Sequence, residues 1–244
     1  MENGINGKVA LITGGSMGIG KSTALALARE GAKIAICARG MDALKETARE
    51  IQEETGATVV PIRADMTSTE DITMLVWSTI SELGHIDILV NNVGGSLSRE
   101  DIQKTSLEDF KATFDLNLFG SFALMKAVIP HMIEQKWGRI INIASIWGRE
   151  NGGNISYMSA KAALIGATKN TAISLAKDGV LVNSIAPGSI EHPGGSWERF
   201  QNENPENVVE NFIETHLPMG KFGWPEPVGD IVAFLASERA SLIT

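Results

Sequence analysis

Six short apolar runs, Lys8 to Thr13, Lys33 to Ala38, Thr58 to Arg63, Asp87 to Asn92, Gly138 to Ser145 and Val180 to Ala186, recur along this chain with longer stretches between them. Each run is too short for a helix and reads as a strand. The stretches between, Gly20 to Glu30, Met41 to Thr55, Thr69 to Leu83, Leu107 to Lys136 and Ile155 to Lys177, carry apolar residues three and four apart, the period of a helix with one buried face. Strands that are apolar nearly throughout are buried on both faces, so the alternation predicts an α/β fold: one doubly wound parallel sheet, helices on both sides, right-handed crossovers. No linker interrupts the pattern, and residues 1–244 read as one domain with a large core. Ligands of such a sheet bind beyond the carboxyl ends of its strands, which is where chemistry is to be sought.

The first strand is followed by Thr13-Gly14-Gly15-Ser16-Met17-Gly18-Ile19-Gly20, and a helix starts at once. Glycines permit a tight turn and close approach of a pyrophosphate, while the unpaired amides and positive dipole end of the helix face that charge. After the second strand an NAD site carries an acid, about 20 residues past the glycines, for the ribose 2'-hydroxyl. Here the residues are Cys37-Ala38-Arg39. The acid is missing, and Arg39 is either a ligand for a 2'-phosphate, favouring NADP(H) over NAD(H), or a solvated loop charge. Asn91-Asn92-Val93-Gly94 follows the fourth strand as a turn, a groove wall, or both.

Tyr157 and Lys161 lie four apart in the helix after the fifth strand, so both side chains leave one face a turn apart. A phenol is a poor acid or base at neutral pH, and an ammonium held nearby lowers its pKa toward the working range. A bare pair of this kind is more often surface decoration than machinery. Ser145, ending the fifth strand, adds a hydroxyl able to hydrogen-bond a carbonyl beside the tyrosine.

The Thr-Gly-x-x-x-Gly-x-Gly spacing, together with Tyr157-Met158-Ser159-Ala160-Lys161, resembles the short-chain dehydrogenase/reductase family, and the resemblance runs from Lys8 to the end of the chain. It implies a Rossmann-type doubly wound fold and hydride transfer between a nicotinamide and a carbonyl or secondary alcohol. By resemblance the catalytic residues are Asn117, Ser145, Tyr157 and Lys161. Tyr157 would pass a proton to the substrate oxygen, Lys161 would grip the nicotinamide ribose, and Asn117 would hold a water joining Lys161 to solvent. Cofactor-binding roles fall on Gly14, Ser16, Gly18, Ile19 and Gly20 in the glycine turn and on Arg39, Asp65 and Met66 after the second and third strands. They fall also on Asn91, Val93, Gly94, Tyr157 and Lys161, and on Pro187, Gly188 and Ile190 after the sixth strand; no metal is implied. Members with the Ala-Arg pair generally use NADP(H), although several carry a second basic residue where this chain has Met17. Four residues after Gly188 the family often places a Thr that bonds the nicotinamide carboxamide; His192 stands there, either as a donor to that amide or the substrate, or as a loop histidine near solvent. Relatives continue beyond the position of Thr244 with a final strand that contributes to a tetramer; residues 1–244 stop before it, either because the sequence is truncated or because the protein lacks the strand, and a homotetramer or homodimer is expected.

Gly188 to Leu217 breaks the alternation with Pro193, Gly194, Gly195 and Pro205, and reads as a mobile substrate lid at about 188–217. Its glutamates at 191, 198, 203, 206, 210 and 214, against Arg199 alone, predict an acidic rim that repels anionic partners. Trp197 and Phe200 either roof an apolar or ring-shaped substrate or pack the lid onto the core. A net charge of -8 without clustered Lys and Arg argues against nucleic acid. The single Cys37, the lack of a signal-like stretch in Met1 to Asn6, and no run near ~18 apolar residues lead to the expectation of a cytoplasmic protein with no membrane partner. The leading reading is an NADPH-dependent reductase of a small, uncharged carbonyl compound. A 3-oxoacyl-(acyl-carrier-protein) reductase is the rival within that class, and a non-catalytic NADP(H)-binding sensor or scaffold is the rival outside it. An intact Asn117, Ser145, Tyr157 and Lys161 argues against the sensor, which has no use for them.

Overall fold

The computed structural model describes residues 3–97 and 100–244, so Met1 and Glu2 of the amino-terminal stretch lie outside the described residues. Six strands alternate with helices: β1 (Val9–Thr13), α1 (Gly18–Arg29), β2 (Lys33–Ala38), α2 (Met41–Thr55), β3 (Val59–Arg63), α3 (Thr69–Leu83) and β4 (Ile88–Asn91) in the first half. The second half comprises α4 (Leu107–Phe114), α5 (Gly120–Gln135), β5 (Gly138–Ile143), α6 (Ile155–Leu175), β6 (Val180–Ile185), α7 (Ser196–Glu203), α8 (Glu206–His216) and α9 (Glu226–Ala236). The strands form one sheet in the order β3-β2-β1-β4-β5-β6, and every pairing is parallel.

Successive strand residues face opposite sides of the sheet, and the core divides accordingly. Ala10, Ile12, Ile34, Ile36, Ile88 and Val90 pack with Leu27 of α1, Leu44 and Ile51 of α2 and Val232 of α9. Val9, Leu11, Ala35, Cys37, Leu89 and Ile140 pack with Leu75 of α3, Leu124 and Val128 of α5 and Leu175 of α6. At roughly 1.5 to 3 kcal/mol for each fully buried Leu, Ile or Val, these two layers dominate the drive to fold. Chain order reverses between the parallel neighbours β1 and β4, so the connections that leave their carboxyl ends part there, at the crevice where a doubly wound sheet takes its ligand.

Three sequence expectations are modified. The stretch expected as one helix from Leu107 to Lys136 is α4 and α5 joined by a π-turn at Asp115–Phe119. The segment expected as a lid, at about 188–217, contains two helices, α7 and α8. Helix α9 went unread, although Pro227 in its first turn and Val228, Val232 and Ala236 at helical spacing are its signals. Leu107–Gln135, with mean hydropathy 1.3, is long and apolar enough to cross a bilayer by length and composition. Part of its surface is instead spent on the sheet, where Leu124, Met125, Val128 and Met132 are buried.

Candidate active site

The glycine turn is organised from behind by β4. Thr13 Oγ1 accepts from the amides of Asn92 (2.9 Å) and Val93 (3.0 Å), and Asn92 Nδ2 donates to the Thr13 carbonyl at 2.9 Å. These bonds join the ends of β1 and β4, the two strands that flank the crevice. A side-chain carbon on Gly20 would lie 2.1 Å from the Gly14 carbonyl, and one on Gly15 would lie 2.6 Å from Ile36, so α1 and the turn close on each other only through glycine. Gly14, Ser16, Met17 and Ile19 line a groove of about 610 Å³; Gly18 and Gly20 shape it from beneath.

Asn91 is placed otherwise than the resemblance implies. It is buried, and its Nδ2 donates to Asn142 Oδ1 at 2.8 Å inside the sheet, while Asn92, one residue on, lines the groove. The alternation of a strand sends neighbouring side chains to opposite sides, and only one of two adjacent asparagines can face the ligand.

At the other end of the groove Ser145 follows β5, and its hydroxyl accepts from the Trp147 amide at 3.2 Å. Asn154 caps α6 by accepting from the Tyr157 amide at 2.9 Å, which fixes the helix start three residues ahead of the tyrosine. Lys161, a turn later, is buried, and its Nζ donates to the Ile143 carbonyl at 2.8 Å and lies 5.7 Å from the Tyr157 ring centre. Asn117 sits within the π-turn, where the extra residue in the helix redirects side chains. It is fully buried: Nδ2 donates to Thr113 and Gly95 carbonyls at 2.8 and 2.9 Å, and Oδ1 accepts from the Gly95 amide at 3.0 Å. A carbon on Gly94 would come within 2.7 Å of Asn117 Oδ1 and 2.8 Å of Lys161 Nζ, so these groups converge on a space that only glycine leaves open.

Burial controls the electrostatics here. It pushes the Lys161 ammonium down to about 8. It also raises the Tyr157 phenol above its ordinary value, against a smaller opposing effect of its hydrogen bond with Ser145. The expected lowering of the tyrosine by the lysine is not seen in the protein alone, where loss of water around the phenolate outweighs the hydrogen bond with Ser145.

Arg39 and Asp65 line the far end of the groove. Arg63, unnoticed in the sequence, donates from Nε to the Arg39 carbonyl at 3.2 Å and so places a second guanidinium there. The Asp65 carboxyl is held below its usual range, chiefly by the Thr67 amide and hydroxyl and further by Arg39 and Arg63. Met66, Val93, Gly94, Pro187, Gly188 and Ile190 also line the groove.

The 189–216 segment is anchored by aromatic contacts. Trp197 meets Phe212 at 4.9 Å, Phe222 at 5.2 Å, Phe200 at 5.6 Å and Trp147 at 5.8 Å between ring centres, and Trp147 meets Tyr157 edge-on at 6.5 Å. Trp197 and Trp147 line the groove, whereas Phe200 is outside the lining and packs on Trp197 and Phe212. Trp147 is a second residue the sequence did not single out; Gly152 and Gly153, lacking side chains, let its indole lie against them. None of the six glutamates lines the groove and Arg199 does, so the acidic residues of the segment lie outside the lining. Helix periodicity is the cause, since it turns most of α7 and α8 toward solvent.

A doubly wound sheet whose glycine turn shares one groove with a serine, a tyrosine and a buried lysine defines the class of Rossmann-fold oxidoreductases. The chain belongs to the short-chain dehydrogenase family, whose model, described as short chain dehydrogenase, matches residues 8–204. It is 38% identical over 240 residues to the 3-oxoacyl-(acyl-carrier-protein) reductase of Synechocystis sp., covering 97% of this chain and 92% of that one. Among solved structures, L-sorbose reductase from Gluconobacter frateurii, complexed with NADPH and L-sorbose, superposes with a TM-score of 0.92 at 34% identity over 99% of this chain and 94% of the other. An NAD+-bound xylitol dehydrogenase superposes with a TM-score of 0.91 at 33% identity over 98% and 96% of the two chains.

Proposed function

We propose that this protein is an NADP(H)-dependent carbonyl reductase, with Ser145, Tyr157 and Lys161 at the reacting end of the groove and Asn117 behind them. The observation that carries the reading is the convergence of these side chains on one end of a groove whose other end holds Arg39, beside which Arg63 lies. The groove fits a nicotinamide dinucleotide: a glycine floor that any side chain would fill, helix amides for a diphosphate, and guanidinium groups for a 2'-phosphate. When bound, that cofactor supplies the hydride. Ser145 holds the substrate carbonyl by its oxygen, and Tyr157, kept protonated by burial, donates the proton to that oxygen. Lys161, tied to the Ile143 carbonyl, orients toward the ribose and supplies positive charge as the phenolate forms. Asn117 keeps the 94–95 turn against Lys161 through its bonds to Gly95.

The wall of Trp147 and Trp197 beside Tyr157 supports a compact, ring-shaped or apolar ketone as substrate. The reading as a 3-oxoacyl thioester reductase is favoured by a different observation: Arg199, not a glutamate, lines the groove, so the repulsion expected for an anionic carrier is missing from the lining. Exposed Leu107, Phe119, Phe122 and Ile173 support self-association into a dimer or tetramer.

The test is NADPH oxidation with cyclic ketones, sugars and acyl thioesters as substrates, in the native chain and in Tyr157→Phe. Cyclic ketones are expected to give the highest kcat/KM, and the variant is expected to lose at least ~100-fold in rate with NADPH affinity retained. Highest kcat/KM for the acyl thioesters establishes the thioester reading instead, and undiminished turnover by the variant removes Tyr157 from the mechanism.

A further inference from the structure

The geometry points to His192 as a direct, proton-linked ligand of the cofactor's diphosphate. The inference rests on the groove being a dinucleotide site and concerns a residue that stands where relatives place a neutral hydroxyl.

The imidazole lies over the glycine turn. A carbon on Gly18 would fall 2.7 Å from both Cδ2 and Nε2 of His192, and a carbon on Gly195 would fall 2.9 Å from Nε2, so two glycines form the slot that admits the Nε2 edge. Gly18 has φ of +53°, which helps aim the turn, and it opens α1. The first helical bond there is from the Lys21 amide to the Met17 carbonyl at 3.2 Å, leaving the amides of Gly18, Ile19 and Gly20 without helix partners. His192 therefore faces the place where an anion meets the helix start, rather than the nicotinamide end marked by Tyr157 and Lys161.

The tautomer follows from the other ring nitrogen. His192 Nδ1 is 2.9 Å from the Pro193 carbonyl oxygen. A carbonyl only accepts, so Nδ1 bears hydrogen and a neutral ring has a bare lone pair at Nε2. Phosphate oxygens also only accept. A neutral His192 would set lone pair against lone pair, while the imidazolium donates from Nε2 and keeps its bond to Pro193. A ring that is neutral in the free protein then takes up a proton from solvent onto Nε2 as the cofactor binds.

The charged groups around the ring do not duplicate that response. Lys21 on α1 pairs with Glu50 on α2, Arg39 stands across the groove, and Glu191, Glu198 and Arg199 share the segment of His192. Glu198 accepts from the Gly194 amide at 2.7 Å. Carboxylates and guanidinium groups keep their charge between about pH 6 and 8, the interval in which an imidazole changes its own; the ammonium of the groove lining, Lys161, is lowered to about 8 and lies at the Tyr157 end.

The experiment is calorimetric titration of the full chain with ADP-ribose, NADH and NADPH at pH 6 and pH 8, in buffers of different ionisation enthalpy, with His192→Asn as the comparison. ADP-ribose carries the diphosphate without nicotinamide, and NADH lacks the 2'-phosphate, whose own titration near pH 6 would confuse the reading. The expected result is binding about tenfold tighter at pH 6 than at pH 8 for both ADP-ribose and NADH, with proton uptake. In His192→Asn, which keeps a neutral donor, the uptake and the pH dependence should fall to the at most about twofold change that Lys161 contributes near pH 8, while binding persists. A pH dependence unchanged in His192→Asn overturns the assignment, as does one seen with NADH but not with ADP-ribose, which would place the imidazole on the carboxamide. Failure of all three ligands to bind at either pH would sink the dinucleotide reading itself, and binding without pH dependence would sink only the role of His192.

Discussion

Lys161 shows what a buried cation costs the fold. Its native pKa of about 8 lies below the ordinary 10.5 of the unfolded chain, so between those values the unfolded state binds more protons and stability rises with pH. Below that window the charge is buried at full cost, on the order of 3 kcal/mol at 1.36 kcal/mol per pH unit. Lys161→Met should therefore be inactive yet more stable than the native protein at pH 7, by about 1 to 3 kcal/mol, and should lose the rise above pH 8. Urea denaturation at pH 7 and 10 checks this, and a native stability flat across that interval would refute it. Gly94 makes the opposite case, a residue whose value is the space it leaves. Gly94→Ala would drive a methyl into Asn117 Oδ1 and Lys161 Nζ, and turnover should fall by up to ~100-fold with the fold intact by circular dichroism. At the far end of the groove, Arg39→Ala should weaken NADPH by about ten- to a hundredfold, the worth of a charge-assisted bond of ~1.5 to 3 kcal/mol, and barely affect NADH in the same fluorescence titration.

Among the elements, α7 and α8 are the pair with least connection to the sheet. No residue of either helix is buried below the level of the core, and their attachment is the aromatic cluster around Trp197. Aromatic pairs contribute ~0.5 to 1.5 kcal/mol each beyond their area, so one ring holds much of the segment's local stability. Trp197→Ala should speed proteolytic cleavage within residues 189–216 by about tenfold or more while moving the global unfolding midpoint little. Cleavage unchanged in that variant would show that the segment is held by other contacts. The π-turn between α4 and α5 is an element-scale device of another kind: it turns Asn117 inward without ending the helix, and no composition signal marks it.

For the molecule as a whole, the groove exists because parallel strands deliver all their carboxyl ends to one side and their order reverses between β1 and β4. The groove is lined at or after the carboxyl ends of all six strands, so the binding energy of a ligand there would be felt by the entire domain. NADPH at about 100 times its Kd should add ~2.7 kcal/mol and raise Tm by roughly 5 to 11 °C, and NADH at equal concentration should raise it less. Equal shifts by the two cofactors would contradict the preference drawn from Arg39 and Arg63.

The sequence alone determined the strand and helix alternation, the glycine turn at Gly14 to Gly20 and the Tyr157 and Lys161 pair, because each is written in spacings of a few residues that local geometry translates directly. It also marked the 188–217 segment as an interruption, though not that its interior is helical. Tertiary structure alone decided which of Asn91 and Asn92 faces the groove, that Arg63 lies beside Arg39, and that His192 lies on Gly18, since these depend on how segments distant in the chain come together. It decided, too, that burial raises Tyr157 and lowers Lys161: the cost of removing water from a charge is set by everything that surrounds it, and no spacing along the chain encodes that.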